Sequence, residues 1–205
     1  MKFLIKICGI THEEDAAVAV EAGANALGFN FYERSPRYVT PERAAEIASE
    51  VSGDYLRVGV FVNPSERELR KISEQVSLHV LQLHGDKIPY LPPPYRLWRS
   101  VGPGHAGTDS KFEAYLLDTP SEGFGGSGET FPWQLASGFP HRFILAGGLD
   151  AHNVAEAIAT ARPWGVDACS RLESRPGRKD PQRVREFVNV AQDAAYKLLS
   201  SEVPL

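Results

Sequence analysis

Short apolar runs alternate along the chain with stretches of helical periodicity, a pattern typical of repeated strand–helix units around a parallel sheet. Eight parallel units favour a closed (β/α)8 barrel, the TIM-barrel class. The predicted strands are 3–8, 25–30, 56–62, 78–83, 96–101, 112–118, 142–146 and 166–169. An open doubly wound sheet is the alternative fold. No Gly-x-Gly-x-x-Gly follows the first strand, so a dinucleotide-binding fold has no direct support.

Four positions predict where individual helices begin. Thr11 is followed three residues later by Glu14, which is the spacing of a capping box. Thr40, Asn63 and Asp180 each stand directly before a proline, so each can cap a helix whose first residue is that proline. These helix starts support the register of the strand–helix units.

Two connections are poorly suited to a helix. Four prolines follow the fourth predicted strand, and the segment 102–110 after the fifth is rich in glycine. We therefore expect a degenerate or missing helix around units 4 and 5. A chain of 205 residues lies near the short end of the range for this barrel, and residues 1–205 are predicted to form a single domain.

Composition and charge narrow the function classes. Lys and Arg are scattered and the net charge is -4, which argues against a nucleic-acid partner. The apolar run at the N-terminus is short and broken by Lys6, so no signal peptide or membrane partner is predicted and a cytoplasmic protein is expected. Cys8 and Cys169 make no disulfide framework and lack metal-ligand spacing, so no metal site is predicted.

Strand parity predicts which side chains enter the barrel, because successive residues of a strand point to opposite faces. The expected interior set is Lys6, Cys8, Gln82, His84, Asp167 and Cys169. The apolar set expected to pack under the helices is Ile5, Ile7, Leu81, Leu83, Leu117, Val166 and Ala168. Catalytic groups of such barrels lie at the carboxyl ends of strands. The candidates at those ends are Cys8, Asn30, His84 and Asp118.

A series of short motifs extends along nearly the whole chain, beginning with Lys6-Ile7-Cys8-Gly9-Ile10-Thr11. The later motifs are Gly28-Phe29-Asn30-Phe31 with Ser35-Pro36-Arg37, Val58-Gly59-Val60-Phe61, Gln82-Leu83-His84-Gly85, Leu117-Asp118, Gly125-Gly126-Ser127-Gly128 with Phe131 and Trp133, Leu145-Ala146-Gly147-Gly148-Leu149, and Gly165-Val166-Asp167 leading to Glu173-Ser174 and Pro176-Gly177. This ordered series resembles the phosphoribosylanthranilate isomerase family. One glycine pair would be weak evidence, but the ordered set is specific.

The resemblance implies an Amadori rearrangement in tryptophan biosynthesis. The aminoaldose N-(5-phosphoribosyl)anthranilate becomes the ketose 1-(2-carboxyphenylamino)-1-deoxyribulose 5-phosphate. An acid must protonate the furanose ring oxygen, and a base must then remove the C2′ proton; the resemblance assigns these roles to Asp118 and Cys8. Burial can keep an aspartic acid protonated near neutrality, and a cationic neighbour can lower the pKa of a thiol. No metal or organic cofactor is needed.

Lys6 can supply that positive charge, because it lies one inward step below Cys8 on the first predicted strand. It can equally pair with Asp167 on the neighbouring eighth strand. Cys169 is expected to be structural, although its closeness to Cys8 would let oxidation disable the base. For His84, a satisfied interior histidine and a substrate contact are both open.

The two anionic ends of the substrate are predicted to bind in separate places. Such barrels commonly bind phosphate after strands seven and eight, and loop 125–128 could close over it. Arg37 resembles the family's arginine that faces the anthranilate carboxylate, where a bidentate donor is suited. The predicted phosphate contacts are Gly147, Gly148, Ser170 and Arg171, the other polar contacts are Asn30 and His84, and the residues expected beside the aromatic ring are Phe31 and Tyr38.

Two residues depart from the family pattern. A Ser-Ser-Gly-Val-Glu type run is usual at the eighth strand, and here Arg171 stands in place of the glycine. We expect its guanidinium to turn toward the phosphate rather than to crowd it. Glu129 stands where a basic residue is common, which alters the charge of its loop but not the chemistry.

Two other functions are weighed against the isomerase. Indole-glycerol-phosphate synthases and ribulose-phosphate epimerases are also phosphate-binding barrels, but their catalytic sets do not appear at the strand ends here. A non-catalytic, partner-binding barrel would accommodate Arg171 and Glu129, yet Cys8, Asp118 and Arg37 together favour catalysis. The predicted partner is a phosphorylated small molecule, and the chain is expected to be a monomer or a homodimer.

Overall fold

The computed structural model describes residues 3–89, 91–105, 109–119 and 128–200, and its centre is a closed barrel of eight parallel strands. The strands pair in chain order, and β1 also pairs with β8 to close the ring. The predicted (β/α)8 barrel is confirmed, with every strand boundary within two residues of its prediction. The barrel strands are β1 Leu4–Cys8, β2 Ala26–Asn30, β3 Leu56–Val62, β4 Val80–His84, β5 Leu97–Val101, β6 Ala114–Leu117, β7 Phe143–Leu145 and β8 Gly165–Ala168.

The helices surround the barrel unevenly. In the described residues of units 4 and 5 no helix follows the strand, as predicted. The described part of unit 6 also has no α-helix and contains only a 3₁₀ turn, Trp133–Ala136, which the sequence did not predict. The α-helices are α1 Glu13–Ala22, α2 Pro41–Glu50, α3 Glu66–Val76, α4 Val154–Ala161 and α5 Pro181–Ser200. None of the described helices combines the length and apolar character that crossing a membrane requires.

After β8 the chain makes a 3₁₀ turn, Ser170–Leu172, and then a small antiparallel ribbon. The two strands of the ribbon are β9 Glu173–Arg175 and β10 Arg178–Lys179. Glu173 and Lys179 are both buried, so the ribbon brings a carboxylate and an ammonium group to the rim of the barrel.

Two of the predicted helix caps are confirmed. Thr40 Oγ1 accepts a hydrogen bond from the Arg43 N–H at 3.2 Å, and Pro41 is the first residue of α2. Asp180 Oδ1 accepts one from the Gln182 N–H at 2.9 Å, at the start of α5. Each cap satisfies an N–H group that has no partner within its helix.

The predicted cap at Thr11 is wrong. Helix α1 begins at Glu13, and His12 occupies the cap position without a side-chain hydrogen bond to the helix. The Thr11 hydroxyl instead donates to the Gly177 carbonyl oxygen at the end of the ribbon turn. A long-range contact therefore takes the hydroxyl that the local pattern assigned to a capping box.

The predicted cap at Asn63 is also wrong. Ser65 and Glu68 form a capping box, and α3 begins at Glu66. Asn63 has a left-handed backbone conformation with φ 48°, and its side chain accepts a hydrogen bond from the Lys87 N–H at 2.9 Å. It therefore links the turns after β3 and β4 rather than starting a helix.

Strand parity is confirmed by two separate apolar clusters. The outer cluster contains all seven residues that were expected to pack under the helices. The inner cluster fills the lower barrel with side chains of the same phase as Lys6, so the polar residues stand on a packed floor. The inner cluster is Leu4, Ala26, Val58, Val80, Trp98, Ala114, Leu116, Ile144 and Ala146.

Closure of the barrel requires glycine at position 165. A Cβ atom there would lie 2.4 Å from Leu4 Cβ and 2.6 Å from the Leu4 carbonyl oxygen on β1. We expect Gly165→Ala to lower the free energy of unfolding in urea by about 1–3 kcal/mol, the scale of overpacking a core. Gly104→Ala is the control, because nothing lies within 4 Å of its added Cβ atom. Equal stability of the two variants would contradict this account of the β1–β8 seam.

Candidate active site

A buried ion pair lies at the seam between β1 and β8. Lys6 and Asp167 are register partners, and Lys6 Nζ donates to Asp167 Oδ1 at 2.9 Å with the lysine fully buried. Burial alone would lower the pKa of Lys6, but Asp167 and Cys8 raise it above its ordinary value, so the ammonium stays charged. Lys6 also interacts electrostatically with Cys8, the other residue that the sequence offered as its partner.

Asp118 directly follows β6 and lies at the wall of a small cavity. Burial raises the pKa of its carboxyl to about 7, the negative charge of Asp167 adds to the rise, and Lys6 opposes it. The carboxyl group is therefore protonated through much of the range below neutrality. A carboxyl group that keeps its proton up to near neutrality thus lies at the carboxyl end of the barrel.

The turn after β7 places the backbone of two glycines close to the Asp118 carboxyl group. Gly147 and Gly148 have left-handed conformations, with φ 88° and 59°. A Cβ atom at Gly147 would lie 3.1 Å from Asp118 Oδ1, and one at Gly148 would lie 2.7 Å from the Glu129 carbonyl oxygen. Only glycine fits both the conformation and the close approach. The cavity beside this turn is lined by Asp118, Gly128, Ala146, Gly147, Gly148, Leu149, Asp167, Cys169, Ser170 and Arg171.

Arg171 bridges two loops at the rim of that cavity. Its Nε donates to the Gly128 carbonyl oxygen at 2.9 Å, and its Nη1 donates to Asp150 Oδ2 at 2.8 Å. The guanidinium thus joins the chain that follows β6 to the chain that follows β7. Of the predicted loop 125–128, only Gly128 lies within the described residues.

Arg37 lies in a second group of charges, with residues of the ribbon that follows β8. Its Nε and Nη2 donate to the two carboxylate oxygens of Glu173 at 2.8 and 2.9 Å, a bidentate pair. Glu173 also accepts from Lys179 Nζ at 3.2 Å. The pair occupies two of the five N–H donors of the guanidinium, which leaves the others for a ligand.

Asn30 organises the loop that carries Arg37. Its side-chain oxygen accepts from the Tyr32 N–H at 2.9 Å, and its side-chain nitrogen donates to Ser35 Oγ at 3.1 Å. Ser35 Oγ in turn accepts from the Arg37 N–H at 3.2 Å. Of the two aromatic residues expected nearby, Phe31 is buried and packs on Phe61, with ring centroids 5.2 Å apart.

His84 is a neutral histidine at the end of β4. Burial, with Lys6 and Arg99 adding positive charge nearby, lowers its pKa to about 3. Its Nε2 lies 2.9 Å from the side-chain amide of Gln82 and hydrogen-bonds it. The interior hydrogen bond of the structural interpretation is present, and a contact between His84 and the substrate stays a prediction.

Three charged residues of the site were not predicted from the sequence. Glu173 was noticed only as part of a motif, and Lys179 and Asp150 gave no local signal. Glu173 and Asp150 act through partners distant along the chain, Arg37 and Arg171, while Lys179 pairs with Glu173 across the short ribbon. Among the described residues, no three His, Cys, Asp or Glu side chains are grouped to hold a metal ion.

The class of protein follows from this arrangement. It is a (β/α)8 barrel whose carboxyl rim combines a carboxylic acid of raised pKa, a thiol and a glycine turn that lines a cavity. The family model described as N-(5′-phosphoribosyl)anthranilate (PRA) isomerase matches residues 5–190. The chain belongs to this family, and the resemblance seen in its motifs is confirmed.

Known proteins support that assignment over nearly the full length. An N-(5′-phosphoribosyl)anthranilate isomerase from Solibacter usitatus (strain Ellin6076) is 48% identical over 198 residues, which cover 93% of this chain and 98% of the relative. The crystal structure of phosphoribosyl anthranilate isomerase from Thermus thermophilus is 33% identical with a TM-score of 0.81, covering 93% of this chain and 98% of its own. Another solved phosphoribosyl anthranilate isomerase, in complex with reduced 1-(o-carboxyphenylamino)-1-deoxyribulose 5-phosphate, is 33% identical with a TM-score of 0.77 and covers 94% and 100%.

The raised pKa of Asp118 predicts a specific dependence of stability on pH. The pKa rises from 3.8 to about 7 on folding, so between these values the folded state binds more protons than the unfolded state. The contribution of Asp118 to the free energy of unfolding is therefore lost as the pH rises through this window. We expect Asp118→Asn to gain stability relative to wild type on going from about pH 4 to about pH 7, measured by urea unfolding. The exposed Asp193→Asn is the control; if the Asp118→Asn and wild-type stabilities run parallel across this range, the assignment is wrong.

Proposed function

We propose that this protein catalyses the isomerisation of N-(5′-phosphoribosyl)anthranilate to the corresponding aminoketose phosphate. Family membership supports the reaction, and the solved relative holds a reduced form of the aminoketose phosphate. The observation that carries the mechanism is Asp118, a carboxylic acid with a pKa of about 7 beside the glycine turn of Gly147 and Gly148.

Asp118 is the general acid in this proposal. Protonation of the furanose ring oxygen by its carboxyl group breaks the C1′–O bond and opens the ring to a Schiff base. Because burial and Asp167 keep the carboxyl protonated up to about pH 7, the proton is present when substrate binds. At higher pH the acid is lost, so the rate is expected to fall.

Cys8 is the general base. Its thiolate removes the C2′ proton of the Schiff base, the electron pair of the C–H bond forms the enolamine, and tautomerisation gives the ketose. The charge of Lys6 favours the Cys8 thiolate, against Cys169 and burial, which raise the pKa of Cys8 above its ordinary value. Cys8 ends β1 and Asp118 follows β6, and the Lys6–Asp167 pair is coupled electrostatically to both.

The two anionic ends of the substrate bind on different sides of this centre. Arg37 recognises the anthranilate carboxylate with the donors that Glu173 leaves unoccupied, and Asn30 holds the loop in place. The phosphate binds at the turn of Gly147 and Gly148 and beside Ser170 and Arg171, which line one cavity with Asp118. His84, neutral at the end of β4, contacts the substrate through its ring.

The remaining expectations concern the setting of the enzyme. The substrate partner is a phosphorylated small molecule, and no cofactor is required for the two proton transfers. A monomeric or homodimeric state and a cytoplasmic location stay predictions, as does the lack of a nucleic-acid partner.

Activity measurements test the acid and the base. We expect Cys8→Ser and Asp118→Asn each to lower kcat by about 10² or more, the scale of positioned acid–base groups. The assay follows the loss of anthranilate fluorescence from freshly generated substrate, with a coupling synthase removing the product. Both variants conserve size, and circular dichroism checks their folding. Wild-type-like turnover in either variant would refute the role assigned to that residue.

Arg171 offers a test of the phosphate site. If its guanidinium donates to the substrate phosphate, Arg171→Gly should raise KM about 10-fold or more, the scale of one charge-assisted hydrogen bond. Inorganic phosphate should also inhibit the variant more weakly than wild type. Asp150→Asn is the matched control, since it removes the other partner of this ion pair and leaves the guanidinium in place. An unchanged KM in Arg171→Gly would show that the arginine only bridges the two loops.

A further inference from the structure

The second cysteine of the chain lies against the proposed base. Cys169 directly follows β8, whose Ala168 pairs with Ile7 of β1, so Cys8 and Cys169 are neighbours across the seam and their thiols interact. Two glycines make room for the sulfur atoms. A Cβ atom at Gly28 would lie 2.8 Å from Cys8 Sγ, and one at Gly9 would lie 2.9 Å from Cys169 Sγ.

The charged side chains around the two thiols leave one positive charge in excess unless one thiol is ionised. Lys6 has Asp167 as its partner, and both carboxylate oxygens of Glu173 are taken by Arg37. Lys179 is a third buried cation, which shares Glu173 and places its Nζ 3.1 Å from the Cys169 carbonyl oxygen and 3.7 Å from Cys169 Sγ. Three cations thus face two carboxylates in this cluster. Since a buried charge is costly unless it is paired, the cluster favours one negative charge on the thiols.

We propose that Cys8 and Cys169 form a dyad that carries one proton between them, with Cys169 as a positioning residue that holds the negative charge for the base. In the resting dyad Cys8 is a thiol that donates to the Cys169 thiolate. Transfer of this proton along the hydrogen bond gives the Cys8 thiolate and the Cys169 thiol, with no change in total charge or oxidation state. The Cys8 thiolate then takes the C2′ proton. This inference rests on the proposed function of Cys8 and extends it to a residue expected to be structural.

Around Cys169, the cations Lys179 and Arg37 outweigh the Glu173 carboxylate, whose Oε1 lies 4.0 Å from Cys169 Sγ. Hydrogen bonding from Cys8 lowers the pKa of Cys169 to about 6, with Lys179 and Arg37 acting in the same sense and burial and Glu173 opposing it. The bond to Cys169 and burial raise the pKa of Cys8, against Lys6. Asp167 faces Cys8 through its pair with Lys6. The two thiols therefore release one proton readily and keep the other between them.

A titration without substrate tests the dyad directly. The ultraviolet absorbance of thiolate is followed against pH in wild type, Cys169→Ser and Cys8→Ser, with the double variant as blank and a phosphine reductant present. We expect the first thiolate of wild type to appear about one pH unit or more below the single thiolate of Cys169→Ser. Cys8→Ser should keep an early thiolate, because Lys179 still faces Cys169. Coincident titration of wild type and Cys169→Ser, or no early thiolate in Cys8→Ser, would overturn the proposal.

The pH profile of catalysis gives a second test. A merely structural role of Cys169 would leave the position of this profile unchanged. In Cys169→Ser the ascending limb of the kcat/KM profile should shift to higher pH by the same amount as the titration, and Lys179→Met should shift it in the same direction. A uniform loss of activity with an unmoved limb would contradict the dyad. Because the titration needs no substrate, its result is separate from that of the proposed function, which fails if Cys8→Ser retains full activity.

Discussion

The ion pair between Lys6 and Asp167 is the interaction on which the candidate site depends. It joins the first and last strands of the barrel at 2.9 Å, in a place where an unpaired charge would be prohibitively costly. The same two charges act on the proposed catalytic groups, since Lys6 interacts electrostatically with Cys8 and Asp167 raises the pKa of Asp118. One buried pair therefore joins the two strands that close the barrel and influences both members of the proposed acid–base pair.

Around this pair, charged residues from distant parts of the chain hold the binding groups. Glu173 orients Arg37, and Arg171 connects Gly128 with Asp150 at the other side of the rim. These residues come from loops and from the short ribbon after β8, while the strands provide the rigid base. The apolar side chains inside the lower barrel thus stabilise the fold, and the loops at its carboxyl end carry the candidate binding residues.

The local signals in the sequence were reliable where no distant group competes for the same atom. Thr40 and Asp180 cap their helices as predicted, because their side chains meet only the N–H groups of the next turn. Thr11 and Asn63 carry comparable signals, but their side chains are used by Gly177 and Lys87 in other units. The described part of unit 6 also has no α-helix. Segment 119–142 is rich in glycine and proline, so this absence could have been predicted from the sequence.

The sequence by itself determined the barrel, the phase of its interior residues, and the candidate acid, base and glycine turns. Those features depend on short-range periodicity and on ordered motifs, which a linear chain displays directly. Only the tertiary structure decided which charges are paired, that Glu173 and Lys179 belong to the site, and that Cys169 touches Cys8. Such pairing depends on distance across strands and on burial, and residues 8 and 169 become neighbours only when β8 closes onto β1.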